Sequence, residues 1–357
     1  MNQEILDLAA LPSESYERIT EYENSLNSGN GGDDERMDRL FEVLNKVLEA
    51  AGKMSAHGIP EKIIIDTFSD IGLWSKRCMR ETGGWGLADP SPGWLKNHLA
   101  CGIFRIGRIQ CKPSKFSPKW NMRFYRNKST GKVLGLTAGD IEFREDGQVS
   151  GTNDIFAGDK GFKGYFKSGE NFVEGVVISP YGRAENKITR LEFGKWEEIL
   201  CEGMPVFELH IPADGGFTPD ICRSSYEDMV KFAKNHQDAL GKLTGFEGPY
   251  TALTLGSWLL DAQLDGILPP ESNLVKHLRE YYLLPVLSNE WAGIFWIFNN
   301  VKPDLNNLKP LEQYTSLQRA ELDFIRKGGN MRYNFGVLMF DDVKNYGNEL
   351  YRKNFGL

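Results

Sequence analysis

A glutamate and a histidine two residues apart, followed by a glycine turn that opens a helix, form the segment best equipped for chemistry. It reads VFELHIPADGGFTPDICRSSYEDMVKF, residues 206–232. In a strand, alternation sets Phe207, Leu209 and Ile211 on one face and Glu208 and His210 on the other, with the latter two Cα atoms roughly 6 to 7 Å apart. Two titratable groups on one face can pass a proton, and an imidazole titrates near neutral pH. After the strand comes Asp214-Gly215-Gly216, then Thr218-Pro219, an N-cap followed by proline at the first helical position. A glycine turn feeding a helix start leaves backbone N–H groups unpaired, which is the physics of a phosphate cradle. The same residues also read as a plain turn and a solvated strand face. A second segment, SWLLDAQLDGILPPESNL, follows the apolar run YTALTLG. Its Ser257 and Asp261 lie just past the strand end, where open α/β sheets place ligands. Trp258, Leu259, Leu260 and Leu264 read as core, and Asp261 also reads as a cap.

Several chemistries have no motif here. The sequence contains no GxxxxGK[ST], no GxGxxG after a strand, no GxSxG and no HExxH. The five histidines, His57, His98, His210, His236 and His277, are too scattered for metal-ligand spacing, so no metal is expected. Forty-two Lys plus Arg against 49 Asp plus Glu give a net charge of −7 with both signs interspersed, which argues against a nucleic-acid partner. The five cysteines, Cys78, Cys101, Cys111, Cys201 and Cys222, are odd in number and form no CxxC pair, which fits a reducing compartment. The opening MNQEILDLAALPSESYE carries acids where a secretory signal needs a basic start. The longest apolar run, Trp291 to Phe298, is less than half the roughly 20 residues a bilayer requires. The expectation is a cytoplasmic protein without a membrane segment.

The elements that must position the candidate groups follow from periodicity. A length of 357 residues with 41% hydrophobic content predicts a folded chain of two domains. From Ile5 to about Leu99 the pattern is helical. Met37, Leu40, Phe41, Leu44, Val47 and Leu48 form an i, i+3, i+4, i+7 stripe, introduced by Asp33, Asp34 and Glu35 and with Gly52 suited to its end. Another helix is predicted from Pro60 to Gly83. After Pro92 short aromatic and β-branched runs predict an antiparallel meander: Cys101 to Cys111, Trp120 to Tyr125, Asp140 to Arg144 and Phe172 to Ile178. The glycine-dense stretch Gly158, Gly161, Gly164 and Gly169 reads equally as a linker or as a hairpin loop. From Val206 onward strands and helices alternate: VFELHIP, a helix from about Pro219 to Leu240, YTALTLG, helices across 259–283, the run AGIFWIFNN, a helix Ser316 to Lys327 and the strand MRYNFGVLMF. The predicted class is α+β, with domains at 1–165 and 166–357.

The segments LHIPADGGFTPDICRSSY, SWLLDAQLDGILPPESNL and TSLQRAELDFIRKGG resemble a family of bacterial acyltransferase-domain proteins. That family joins an N-acyltransferase-type N-terminal domain to a GNAT-like C-terminal domain. Upstream, FRIGRIQ, the FREDGQ turn and the ISPYGR turn fit the same pattern, so the resemblance covers about Leu99 to Gly336. It implies a helical region and a β meander followed by a GNAT-like mixed α/β sheet that binds acyl-coenzyme A and passes its acyl group to an amine. By the resemblance, VFELHIP is the strand beside the donor, Gly215, Gly216 and Thr218 form the pyrophosphate turn, and Glu208 is the base, with His210 a second proton carrier. Ser257 is placed with the donor-binding positions. The usual Q/R-x-x-G-x-G/A signature is absent from ADGGFTP. Tyr281 or Tyr282 takes the place of a leaving-group acid, although HLREYYLLP reads equally as packing.

Two functions compete. One is an acyl-CoA-dependent N-acyltransferase acting on an amine acceptor. The other is a non-catalytic module on an acyltransferase-like scaffold that binds a small molecule, a glycan or a protein, with some of the eight tryptophans as stacking platforms. An open cleft lined by Trp85, Trp94 and Trp120 favours the second; an opening onto Glu208 and the Gly215-Gly216 turn favours the first.

Overall fold

The computed structural model describes residues 1–29, 34–117, 122–289, 291–298, 304, 307, 308, 311 and 313–355. Asp33 and Trp120 of the sequence analysis lie outside the described residues. Along the chain the helices α1 (Gln3–Leu8), α2 (Tyr16–Asn27), α3 (Glu35–Ala56), α4 (Glu61–Phe68), α5 (Asp70–Thr82) and α6 (Ser91–Leu99) come first. Strands β1 (Phe104–Ile106), β2 (Ile109–Lys115), β3 (Met122–Asn127), β4 (Val133–Thr137), β5 (Glu142–Phe143), β6 (Phe162–Lys163), β7 (Phe166–Ser168), β8 (Phe172–Ser179), β9 (Arg183–Glu192), β10 (Trp196–Leu200) and β11 (Pro205–His210) follow. The remainder alternates: α7 (Pro219–Asn235), α8 (Gln237–Thr244), β12 (Ala252–Ser257), α9 (Leu264–Ile267), α10 (Asn273–Leu278), β13 (Tyr282–Pro285), α11 (Trp291–Ile297), α12 (Ser316–Arg326), β14 (Asn334–Met339) and α13 (Leu350–Phe355). The order of helical region, antiparallel strands and alternating elements is the α+β organisation that the periodicity predicts. Among the described residues no helix is long and apolar enough to cross a membrane.

Two compact units form. The first comprises 1–114, 208–216 and 220–249; the second comprises 115–207, 217–219 and 250–357. In the first unit, α3 buries Met37, Leu40, Leu44 and Val47 on the predicted stripe, and the Asp34 side chain caps its start by accepting from Arg36 N. The helix passes the expected stop at Gly52 because Met54, two residues on, is buried. The turn is taken instead by Gly58, whose φ of +77° is left-handed. The single helix expected from Pro60 to Gly83 is divided at Ser69, whose hydroxyl takes the Asp66 carbonyl at 2.6 Å and competes with the helical ladder. Its end at Gly83, with φ +73°, is as predicted. The β1–β2 hairpin pairs Phe104 with Cys111, and the end of β11 completes this unit's strands.

In the second unit, an antiparallel sheet runs β10-β3-β4-β8-β7, with β9 also paired to β8. Tyr125, Leu134, Leu136, Val173, Val177 and Leu191 bury one of its faces. The start of β11, then β12, β14 and β13, gives the unit's other strands, and β12 and β13 both run antiparallel to β14. The glycine-dense stretch lies within this unit: Gly158 and Gly161 lead into β6, which pairs Phe162 with Phe143 of β5, Gly164 follows β6, and Gly169 stands in the turn between β7 and β8. AGIFWIFNN, expected as a strand, is instead helical over Trp291–Ile297. A short, uninterrupted apolar run carries no period, so burial on all sides suits either element.

Tyr282 shows how closely this unit packs. Its hydroxyl donates to the Ile178 carbonyl and accepts from Gly135 N at 2.9 Å. Gly135 lets the ring approach, since a Cβ there would meet Tyr282 at 3.3 Å and Phe124 at 3.2 Å. Tyr281 and Tyr282 are both fully buried, which is the packing role rather than an acid role. Tyr282→Phe strands a buried N–H and a buried C=O, so a loss of about 1 to 3 kcal/mol in denaturant unfolding is expected with the fold intact. A loss below about 0.5 kcal/mol contradicts the structural role assigned to this hydroxyl.

Candidate active site

The alternation of β11 is realised, and Glu208 and His210 fall in its part within the first unit. Phe207 and Leu209 are buried, while Glu208 and His210 share the opposite face. Glu208 Oε1 stands 3.7 Å from His210 Nε2, with the two side chains 43% and 29% exposed. The Trp94 ring, from α6, packs edge-on to the imidazole with centroids 4.5 Å apart. His210 Nε2 is shielded from solvent and makes no hydrogen bond among the described residues. Burial, the Lys112 ammonium and His98 push the imidazole down from 6.5 to about 4, against an opposing pull from the Asp70 carboxylate. At neutral pH the ring is therefore uncharged, and its contact with Glu208 is a carboxylate beside a neutral base rather than an ion pair.

Behind His210 lies a polar cluster that reading the sequence did not find. Asp70, at the start of α5, is buried, and its Oδ2 accepts the indole N–H of Trp74 at 3.2 Å and of Trp94 at 3.0 Å. His98 Nε2 lies 3.2 Å from the same oxygen, and the Gln110 amide nitrogen lies 3.3 Å from that ring nitrogen. Burial pushes the Asp70 carboxyl up, but hydrogen bonds from His98, Gln110 and Trp94, together with the field of His98, outweigh it and hold the group below its ordinary range. The signal was present only as two i, i+4 pairs, Asp70 with Trp74 and Trp94 with His98, which any helix face can show.

The loop after β11 is held from below. Arg108 Nε donates to Gly216 O at 3.0 Å and its Nη2 to Pro212 O at 2.7 Å. Arg105 Nη2 donates to Asp214 Oδ2 at 2.8 Å, with Arg108 Nη1 3.6 Å from Asp214 Oδ1. Both arginines come from the FRIGRIQ turn. Gly215, at φ +68°, and Gly216 are exposed. Their carbonyl side is occupied by arginine, whereas their N–H groups donate to no acceptor among the described residues. Two guanidinium groups against one carboxylate leave the loop with a positive field beside those N–H groups. Of the remaining sequence candidates, Thr218 and Ser257 belong to the second unit. Ser257 Oγ there accepts from Leu259 N at 3.1 Å and caps the turn Trp258–Leu260. Asp261 is buried and accepts from Gln263 N at 3.0 Å and Arg332 N at 2.9 Å.

Comparison with known proteins places the chain in a family. Residues 103–338 match the GNAT-like C-terminal domain, and residues 4–101 match the N-acyltransferase N-terminal domain. The chain belongs to the GNAT-like C-terminal domain family. Glu208, His210, Gly215 and Gly216 all fall within the GNAT-like match, and so do Arg105 and Arg108, whereas Asp70, Trp74, Trp94 and His98 fall within the N-acyltransferase match. The GNAT-like chain shares its fold with a crystal structure of an acyltransferase in complex with decanoyl-CoA and teicoplanin, with a TM-score of 0.54 and 16% identity over 85% of this chain. An acyltransferase in complex with CoA and 10C-teicoplanin aligns with a TM-score of 0.53 and 17% identity over 85% of this chain. One with decanoyl-CoA alone gives 0.53 and 19% identity over 86%. In each case about two thirds of the other chain is spanned (67%). No curated protein matches the sequence.

Proposed function

We propose that this GNAT-like chain transfers an acyl group from a coenzyme A thioester to an amine, with Glu208 as the base. The observation that carries the proposal is the strand end itself. A half-exposed carboxylate 3.7 Å from a neutral imidazole leads within one loop to two exposed glycine N–H groups backed by Arg105 and Arg108. The family match and the fold shared with acyltransferases crystallised with CoA thioesters support the same donor. Trp94, a stacking platform in the rival binding-module reading, is instead committed to Asp70 and His210.

In this reading the amine nitrogen attacks the thioester carbonyl carbon, forming the C–N bond. Glu208 takes the proton that nitrogen gives up, the C–S bond breaks, and coenzyme A leaves as a thiolate that solvent protonates. The Gly215 and Gly216 N–H groups, with the field of the two arginines, hold the donor's diphosphate. The shielded, uncharged His210 keeps a second positive charge away from the one that develops on the attacking amine nitrogen, so that the carboxylate meets it without competition.

Binding stabilises the state that binds, so acyl-CoA at about a hundred times its dissociation constant adds about 2.7 kcal/mol to unfolding. Differential scanning fluorimetry with acetyl-CoA, octanoyl-CoA and decanoyl-CoA is therefore expected to raise Tm by a few degrees. Release of free thiol in the presence of an amine panel is expected to identify the acceptor. The absence of any shift at millimolar acyl-CoA sinks the proposal.

A further inference from the structure

The Asp70 cluster does more than fill the first unit, because one of its members touches the strand on which the proposed base sits. Trp94 has two polar engagements. Its Nε1–H is donated to Asp70 Oδ2 at 3.0 Å, and its ring meets His210 at a centroid distance of 4.5 Å and an interplanar angle of 61°. The same ring also lies edge-on to His98, 5.9 Å away. A buried carboxylate that accepts two indoles, one imidazole and one amide fixes all four donors at once, and the imidazole and the amide are themselves buried. With His98 protonated at Nε2 toward Asp70, its Nδ1 is a buried lone pair with no donor among the described residues, so the carboxylate is the acceptor that anchors the ring. Trp94 in turn packs against His210, whose Nε2 has no hydrogen bond among the described residues to orient it.

We propose that Asp70 is a positioning residue for the reaction, acting through the Trp94 indole to hold the His210 ring in register with Glu208. The proposal rests on the acyltransfer reading and adds to it a second component, drawn from the helices α5 and α6. Asp70 also acts through its charge. The groups facing His210 are Lys112 from β2, His98 from α6, Asp70 from α5 and Glu208 from its own strand. Of these, Lys112 and His98 disfavour a protonated ring and Asp70 favours it.

The test uses the full chain with Asp70→Asn and Trp94→Phe. Asparagine removes the charge while keeping the shape, and phenylalanine removes the N–H donor while keeping an aromatic ring against His210. Steady-state kinetics on both are expected to show kcat lowered roughly ten- to a hundredfold, with KM for acyl-CoA within about threefold, because misplacement of a reacting group costs turnover rather than donor binding. In Asp70→Asn the His210 titration midpoint by NMR is expected to move to lower pH. Trp94→Phe decides the matter if Asp70→Asn does not fold. A kcat within about threefold of wild type in a folded variant overturns the proposal, as does a loss in which KM rises by the same factor or in which the His210 midpoint of Asp70→Asn stays where it was. If the wild-type chain turns over no acyl-CoA, the acyltransfer reading falls and this proposal with it. Wild-type turnover with both variants unaffected removes this proposal alone.

Discussion

Glu208→Gln is expected to lower kcat by about a hundred- to ten-thousandfold while leaving the affinity for acyl-CoA within a few fold. Glutamine keeps the length and planarity of the side chain but cannot accept the proton that the attacking nitrogen must lose. Donor binding should persist because the loop that carries Gly215 and Gly216 is held by Arg105 and Arg108, not by Glu208. His210 is the natural rival for the base, and its geometry decides against it. Its Nε2 is shielded from solvent, so an incoming amine reaches the half-exposed Glu208 carboxylate and not the ring nitrogen. His210→Asn should therefore cost less than Glu208→Gln, and the order of the two losses is itself a check. Stopped-time assays of thiol release, with calorimetric titration of acyl-CoA, measure both quantities. Glu208→Gln retaining more than about a third of wild-type kcat would falsify the assignment of the base.

The strand that carries this chemistry was legible because a period of two needs only neighbours in sequence. VFELHIP declares its faces residue by residue, and the structure buries Phe207 and Leu209 while leaving Glu208 and His210 on the other side. The same holds for α3, where a stripe of apolar residues is enough to define the buried face. The Asp70 cluster was not legible, since its members come from α5, α6 and β2 and meet only through tertiary packing. His98 in particular looked like one scattered histidine among five. Nothing local distinguishes a buried imidazole that donates to a carboxylate from one that faces water. The arginines beneath the loop were hidden for a related reason. In FRIGRIQ they read as a charged hairpin turn, and their partners Pro212, Asp214 and Gly216 lie a hundred residues on, reached only when the chain folds back. The run AGIFWIFNN failed differently. Without polar punctuation it has no period at all, and its helix is set by the apolar cluster around Leu322 and Met331 that Ile294, Ile297 and Phe298 complete.

Next to a member of that cluster stands a buried acid, and it leads to a stability effect of several kcal/mol. Glu321 sits on α12 beside Leu322, fully buried, and neither carboxylate oxygen makes a hydrogen bond among the described residues. Burial, reinforced by the nearby Asp261 carboxylate, pushes its pKa up from 4.5 to about 8. The folded chain thus holds a proton there that the unfolded chain has already released over much of this range, so folding becomes less favourable as pH rises from about 4.5 to about 8. Glutamine holds no such proton. Glu321→Gln is expected to leave stability nearly unchanged at pH 4.5, to raise it by about 3 kcal/mol at pH 7, and to approach about 5 kcal/mol above pH 8. His210 and His277 act in the opposite sense. Burial is the leading cause in each, holding them near 4 and 3, and the stability they contribute as neutral rings is lost as pH falls from 6.5 through those values. They are common to both proteins and cancel in the difference taken at each pH. Urea unfolding of wild type and variant at pH 5, 7 and 8.5 reads that difference directly. A gap that is the same at pH 5 and 8.5 means that the Glu321 carboxyl is not held protonated by its surroundings, and the buried acid on α12 then has some compensation that its geometry does not show.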